Sequence, residues 1–540
     1  MDEGRIVVVI YIHIYHPGAH VRKKRNSRMS SVKEGTPLYE TLLKLCEFGS
    51  HEAHEHIIVA HQNTTGNGIF AKQSIGAGEK LFVFPLSEAI KPHGKIMEFV
   101  QKGVCSPIIG LVLTAMHELF VQKDKAPYWS YLLSLTPPNI GHCWTEEEKM
   151  YLQGTSLMVN KSTVGLLNLE YIYDNDVVKL LRELGTQLFP KDAISKDNFF
   201  TAFAWVLSRA TQEISCSSNN TSKSNHFQLE GQKNDIRTVR VDNFDSDEKI
   251  SSPSTCALIP IFDLINHTSD LRLRNAILVN KLRENNSFEV YAQSDIKKGE
   301  EVLLSYGEHS SAHLIRQYGF YEKNLYTKVV VTKMEVVESI KQSYCNAFSD
   351  SERSEMYDII ADRLQALQKQ EHFQNFVLEH ERGITAKKYD DAIKGCTCEW
   401  SPPIDLLTFI QVIIMEDEEF SAWEDSGYIR LGLQYLDWDT ANILFLALLK
   451  LFEICSERYF FEAPAKESKD GAKSRKDYVA SMAKSLIDEE KEFLKFAGKN
   501  VLFMVKNFEP IDSDREDGGY DKERVEQETL SNPKKKRKRE

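Results

Sequence analysis

The sequence predicts an α+β protein in which a β-rich unit is interrupted by helices and then followed by a mostly α-helical part. Short alternating strands near residues 68–85 and 257–305, helical spacing between them, and sustained helical periodicity from about Thr327 to Phe508 lead to that reading. The length of 540 residues, with 42% apolar and 27% charged residues, is ordinary for a globular chain of several domains. Acidic residues outnumber basic ones, 79 to 67, for a net charge of −12, which argues against a surface that coats nucleic acid. Nine scattered cysteines make no disulfide framework and fit a reducing compartment.

Residues 1–40 read as a disordered extension. The apolar run Ile6–Ile14 is broken by His13, and Ile443–Leu449 is equally short, so neither reaches the ~20 residues of a membrane span. Asp2 and Glu3 stand where a secretory signal needs positive charge. Met29, after the basic run Arg22–Arg25, is a candidate alternative start, with Leu38–Cys46 then opening the first helix.

The first domain is expected over 41–326. Gly68–Pro85 reads as two short strands around the turn Gly76-Ala77-Gly78. An insertion of about 100–205 follows, with apolar residues at helical spacing in Ile108–Val121, Asp176–Leu188 and Lys196–Thr211. Residues 212–255, rich in Ser, Asn and charge, read as a mobile loop. Strand signals resume at Ala257–Phe262, Ala276–Val279, Phe288–Ala292 and Glu301–Ser305. The second domain, 327–508, is read as helical, with helices in Glu352–Gln370, Ile404–Met415, Thr440–Ile454 and Lys476–Phe508. Residues 509–540 form an acidic, then basic, tail.

Four segments carry polar groups where an apolar pattern does not explain them. Gly66-Asn67-Gly68 lets a backbone approach a ligand closely, yet no third glycine follows at dinucleotide-binding spacing, and an ordinary turn explains it as well. Ser208-Arg209 ends an apolar helix beside Phe203 and Trp205, and an Arg buried there needs an anion, whether a ligand or a neighbouring carboxylate. In Ile259–His267 an apolar strand runs into Phe262, Asp263, Leu264, Ile265, Asn266 and His267, polar groups that need partners for structure or for chemistry. Glu300-Glu301-Val302-Leu303-Leu304-Ser305-Tyr306-Gly307 ends a buried strand on a tyrosine, and Tyr318-Gly319-Phe320 follows.

Taken together and in this order, these segments resemble the SET-domain protein methyltransferases. More narrowly, they resemble the Rubisco large-subunit methyltransferase-like branch, over about residues 40–508. The resemblance implies a β-rich SET domain split by a helical insertion, followed by an α-helical domain that grips a protein substrate. It implies S-adenosyl-L-methionine as cofactor, with Arg209 on its carboxylate and Asn266 and the His267 backbone on its ammonium and adenine. Gly66, Gly68, Glu79, Lys80 and Leu81 are then strand-side contacts, Asp263, Leu264 and Ile265 line the same site, and Tyr318, Gly319 and Phe320 close around the adenine. Tyr306 is implied as the central catalytic residue.

By the same resemblance Thr211 and Phe262 lie near the acceptor pocket. Thr211 is neither the aromatic of the branch's lysine methyltransferases nor the amide of its histidine-modifying relative. Lysine is the expected acceptor, with histidine methylation, or a catalytically silent scaffold, as the other readings. No metal is expected. Cys396-Thr397-Cys398 lacks the further cysteine a tetrahedral zinc site needs, and His51, His54, His56 and His61 lack a metalloprotease spacing. The basic run Lys534–Arg539 reads as a binding segment for a nuclear import receptor. The expected partners are a protein substrate and that receptor, with no membrane and no sequence-specific nucleic acid, and the expected location is the nucleus, with or without a cytoplasmic share.

Overall fold

The computed structural model describes residues 30–31, 57–62, 66–85, 89–122, 138–159, 165–212, 256–259, 262–281, 287–307, 309–323, 326–345, 350–368, 375–381, 400–426, 438–461, 475–506 and 508. The expectations for 1–29, Leu38–Cys46, the loop from 213 to 255, Cys396–Cys398, His51, His54, His56 and the basic tail lie outside these residues.

The β part is a set of small sheets. β1 (Ser30–Ser31), β2 (Ile57–Gln62) and β3 (Gly66–Ala71) form an antiparallel meander, with Val59 opposite Ile69. His61 lies in a strand, opposite Asn67, because the apolar run Ile57–Ala60 pairs with β3. β4 (Lys80–Pro85) joins β9 (Ser287–Ala292), which also pairs with β8 (Ala276–Lys281). β5 (Ala210–Gln212) and β6 (Cys256–Leu258) close the helical insertion as an antiparallel pair, Gln212 opposite Cys256. β7 (Asn266–His267) and β10 (Leu303–Leu304) are parallel. The expected strand Glu301–Ser305 shortens to these two residues plus a bridge from Glu301 to Phe70, because its ends turn aside to form the site.

The insertion holds helices α1 (Gly94–Gln101), α2 (Pro107–His117) and α3 (Lys196–Arg209). α2 starts on Pro107 with Ser106 capping the Ile109 amide, and it is buried on every side, as its continuous apolar run requires. α3 is capped by Ser195 on the Asn198 amide and buries Phe199, Phe203, Trp205 and Leu207 against α2 and the strands. It delivers Arg209 at its last turn.

The C-terminal part is mostly helical: α5 (Lys333–Cys345), α6 (Asp350–Gln368), α7 (Ile404–Ile414), α8 (Asp417–Ser426), α9 (Trp438–Glu457) and α10 (Arg475–Lys506), after α4 (Ser311–Tyr318) of the β part. It also contains a strand pair that helical periodicity does not predict, β11 (Tyr326–Thr332) with β12 (Asn375–Glu381). The β-branched run Thr327-Lys328-Val329-Val330-Val331-Thr332 favours a pleated strand.

Each part has its own core, and a third cluster joins them. Trp144, Tyr151, Leu152 and Leu157 of the insertion and Ala312 and Ile315 of α4 pack on Val330 and on Val479, Ala480, Met482, Ala483 and Leu486 of α10. The C-terminal part thus backs α4, the helix that ends at Tyr318. No helix among the described residues is long and apolar enough to cross a membrane.

Candidate active site

The site forms where β3, the end of α3, the turn into β7 and the end of β10 converge. The 299–302 segment runs beside β3: Val302 donates its amide to the Ile69 carbonyl at 2.7 Å, and Ala71 donates to Glu300 at 2.9 Å. This places Glu301 against Gly68. A Cβ at position 68 would stand 2.5 Å from Glu301 Oε1 and 2.9 Å from Asn266 Nδ2, so only glycine leaves room for that pair. Asn266 Nδ2 donates to Glu301 Oε1 at 2.7 Å, and burial raises the Glu301 carboxyl against the opposing pull of this bond.

Parallel pairing of β7 with β10 puts His267 next to Tyr306. The Tyr306 amide donates to His267 Nδ1 at 2.9 Å, so in the neutral ring Nε2 carries the proton, and it donates to Ser269 Oγ at 2.9 Å. Burial, helped by His309 and Arg274, pushes His267 down to about 3, so it is neutral at physiological pH. The Glu322 carboxylate 3.6 Å from Nε2 is therefore no ion-pair partner; it accepts the Ser269 amide instead, at 3.1 Å.

The Tyr306 hydroxyl donates to the Ile265 carbonyl at 2.8 Å, and the Tyr306 carbonyl accepts from His309 Nε2 at 3.0 Å. The residue is thus held at its amide, its carbonyl and its phenol. Burial raises its pKa far above 10, with Arg209 opposing and Asp263 and Glu301 reinforcing, so it stays a neutral phenol. Aromatic rings continue from it: Tyr306 to His267 at 5.1 Å, Tyr306 to Tyr318 at 4.9 Å, His267 to Phe320 at 6.1 Å and Tyr318 to Phe320 at 6.2 Å between centroids. Gly319 ends α4 in the left-handed region, φ 78°, donating to Leu314 and Ile315, and this turn carries Phe320 back towards His267.

Arg209 meets Asp263 only loosely. Its Nη1 lies 3.4 Å from the Asp263 carbonyl and its Nε 3.9 Å from the wholly buried Asp263 carboxylate, and Nε is buried with no hydrogen-bond partner. The guanidinium keeps donor capacity for an anion.

The structure therefore brings together Gly68, Arg209, Asp263, Ile265, Asn266, His267, Tyr306, Tyr318 and Phe320, with Gly66 in the same strand and Gly319 as the turn between the last two. Leu264 lies in the short Phe262–Leu264 turn and is buried in the core. Phe262 is partly buried against that core and against the Phe84–Phe288 cluster, and Thr211 sits in β5 opposite Ala257.

Among the described contacts, no hydrogen bond, ion pair or ring contact links the side chains of Glu79, Lys80 or Leu81 to these residues. The exposed Glu79 carboxylate accepts the Gly76 amide at 3.0 Å, Lys80 pairs with Glu289 at 3.3 Å and lies over Tyr291, and Leu81 is fully buried in the apolar core. A bulge between Lys80 and Phe82 breaks the strand's alternation there. Sequence reasoning in turn missed Glu301, Ser269, His309 and Glu322 as partners of the site residues. Glu301 left a signal, a carboxylate opening an otherwise buried strand; Ser269 and Glu322 left none.

Residues 66–307 match the SET domain family. Mouse N-lysine methyltransferase SETD6 is 26% identical over 295 residues, 52% of this chain and 53% of that protein. Ribosomal lysine N-methyltransferase 4 of Saccharomyces cerevisiae is 24% identical over 292 residues, 52% and 54% of the two chains. The chain thus spans about half the length of these relatives. Two solved structures share its fold across both parts: the SET domain of LSMT bound to lysine and AdoHcy, TM-score 0.58 at 16% identity over 92% of this chain and 99% of that one, and Rubisco LSMT bound to AdoMet, TM-score 0.56 at 16% identity over 91% and 99%. The loose Arg–Asp contact, the Asn–Glu pair under a glycine and the tyrosine on a buried carbonyl thus sit within the residues that match the SET domain family, in a two-part fold similar to that of Rubisco LSMT.

Proposed function

We propose that the chain is a protein-lysine N-methyltransferase that takes its methyl group from S-adenosyl-L-methionine. The carrying observation is the Tyr306 hydroxyl, fixed on the Ile265 carbonyl at 2.8 Å beside a guanidinium whose Nε has no hydrogen-bond partner. The lysine and cofactor named for the related proteins support the same reading.

The residues present fit the cofactor. Arg209 has donors left for a carboxylate, the backbone around Asn266 and His267 offers acceptors and donors for an ammonium and a base, and Tyr318 and Phe320 supply flat apolar faces. When bound, S-adenosyl-L-methionine supplies an electrophilic methyl group on a sulfonium. Tyr306 gives its only hydroxyl proton to Ile265, so its oxygen lone pairs are free to orient an amine or a polarised methyl. A neutral phenol of raised pKa positions rather than abstracts a proton. The acceptor lysine, ordinarily near pKa ~10.4, becomes nucleophilic by giving its proton to solvent water, which desolvation of the ammonium on binding favours, and alignment supplies most of the remaining rate.

The test is transfer of radiolabelled methyl into proteins of a cell extract, with wild type beside Tyr306→Phe and Arg209→Ala. A few labelled bands lost in both variants, and lost again when the acceptor lysine becomes arginine, support the reading. Label that survives lysine replacement and disappears with histidine replacement assigns the histidine activity instead. Intact folding without binding or transfer assigns a scaffold. The basic run Lys534–Arg539 supports nuclear residence, and a reporter fusion that stays nuclear without it counts against that role.

A further inference from the structure

Helix α10 carries two consecutive buried carboxylates, Glu489 and Glu490, which face different neighbours. Glu490 looks back to the insertion and the segment just after α9, accepting the Ser156 amide at 3.2 Å and the Tyr459 hydroxyl at 2.9 Å. Glu489 looks towards the SET domain. Its Oε2 accepts the Ser311 hydroxyl at 2.7 Å and the Tyr321 hydroxyl at 3.0 Å, and its Oε1 accepts the Thr327 hydroxyl at 3.0 Å.

The order of these donors along the chain is what matters. Ser311 opens α4, the helix that ends on Tyr318; Tyr321 directly follows Phe320; Thr327 lies in β11, where the chain enters the C-terminal part. One carboxylate from a distant helix therefore ties both flanks of the Tyr318-Gly319-Phe320 turn to one point. Tyr478, three turns earlier on α10, adds a longer contact of 3.5 Å to the Gly319 carbonyl. Apolar packing of Ala312 and Ile315 against α10 gives the contact area, and it does not by itself fix a turn whose rings must meet Tyr306 and His267 at defined spacings.

We infer that Glu489 is a positioning residue for the Tyr318–Phe320 ring arm, through which the C-terminal domain sets how well the SET domain holds its cofactor. The inference rests on the proposed function for the identity of what the arm holds. Replacement by leucine removes all three acceptor contacts. Glutamine with its carbonyl oxygen at the Oε2 position keeps the acceptor for the Ser311 and Tyr321 hydroxyls and can donate its amide to Thr327 Oγ1, so it should largely restore the arrangement.

The experiment uses the full chain as wild type, Glu489→Leu and Glu489→Gln. AdoHcy affinity is read by calorimetry, methyl transfer by KM for S-adenosyl-L-methionine and kcat, and amide exchange over residues 311–323 by mass spectrometry. The expected result is AdoHcy binding weaker on the order of tenfold in the leucine variant, with KM raised in step, kcat at saturation nearly unchanged and exchange over 311–323 accelerated, while the glutamine variant stays close to wild type. If the leucine variant does not fold, Tyr321→Phe with Thr327→Val removes two of the three donors and carries the same readouts. Unchanged exchange over 311–323 overturns the link to the arm, and equal affinity in a folded variant overturns its role in binding. Wild type that binds no AdoHcy overturns the functional reading, whereas the exchange result still decides whether Glu489 holds the arm.

Discussion

The Tyr306 hydroxyl donates to the Ile265 carbonyl at 2.8 Å, joining the residue two past β10 to the residue just before its parallel partner β7. Tyr306→Phe removes this bond and leaves the ring in its tilted contacts with His267 and Tyr318. Methyl transfer should fall about 10²-fold in kcat, the scale of losing alignment at a reacting centre, while AdoHcy affinity stays within about threefold. Single-turnover transfer beside calorimetry checks this, and equal losses in both would move Tyr306 from chemistry to binding.

Gly68→Ala should be costly although it adds one methyl. The new Cβ meets the Asn266–Glu301 pair at 2.5–2.9 Å, and both residues are tied into the β7–β10 junction. A destabilisation of roughly 1–3 kcal/mol, typical of overpacking, should accompany loss of AdoHcy binding. Chemical denaturation and calorimetry measure the two, and an alanine variant with unaltered affinity would show that the pair does not shape the pocket.

His267 should stay neutral with its proton on Nε2 across pH 4.5–8. Burial holds it near 3, and its Nδ1 is committed to the Tyr306 amide. NMR of selectively labelled histidine should show constant ring shifts over that range; a titration near 6.5 would mean that the ring is solvated and the clamp on Tyr306 open.

Much of this was legible in the sequence because the site residues interrupt apolar patterns. Arg209 ends a helix of Phe, Ala and Trp, Asp263–His267 follow a buried strand, and Tyr306 ends another. Such groups need partners wherever they are buried, and four separate segments found them in one place. For Glu79, Lys80 and Leu81 alternation does not say which strand face meets a ligand, and the bulge between Lys80 and Phe82 interrupts that alternation. Glu322 could not be found because it acts through a contact between distant turns, and Ser269, two residues from His267, carries no pattern that marks it. The strand pair β11–β12 was missed because its residues are also compatible with the helical pattern around them, and pairing across a long separation decided it.

Glu490 makes stability depend on pH with a definite sign. Burial raises it from 4.5 to about 7, outweighing Arg458, the Tyr459 hydroxyl and the Ser156 amide. Between these values the folded chain binds more protons than the unfolded one, so this contribution is full below about 4.5 and is lost as pH rises through about 7. His267, depressed from 6.5 to about 3, has the opposite slope between those values, so the informative quantity is the difference between variants. Glu490→Gln should gain up to roughly 3 kcal/mol relative to wild type between pH 5 and pH 8. Denaturation midpoints at the two pH values check it, and parallel curves would mean that Glu490 ionises freely in the folded chain.

The β5–β6 pair has a consequence for how this protein can vary. Gln212 and Cys256 stand directly opposite each other, so the connection between them begins and ends at one rung. Lengthening a connection between adjoining ends costs only ~0.6 kcal/mol per doubling. That rung is a natural port for grafting, where foreign sequence, a tag or a whole reporter domain can be spliced in while the scaffold on either side keeps its register.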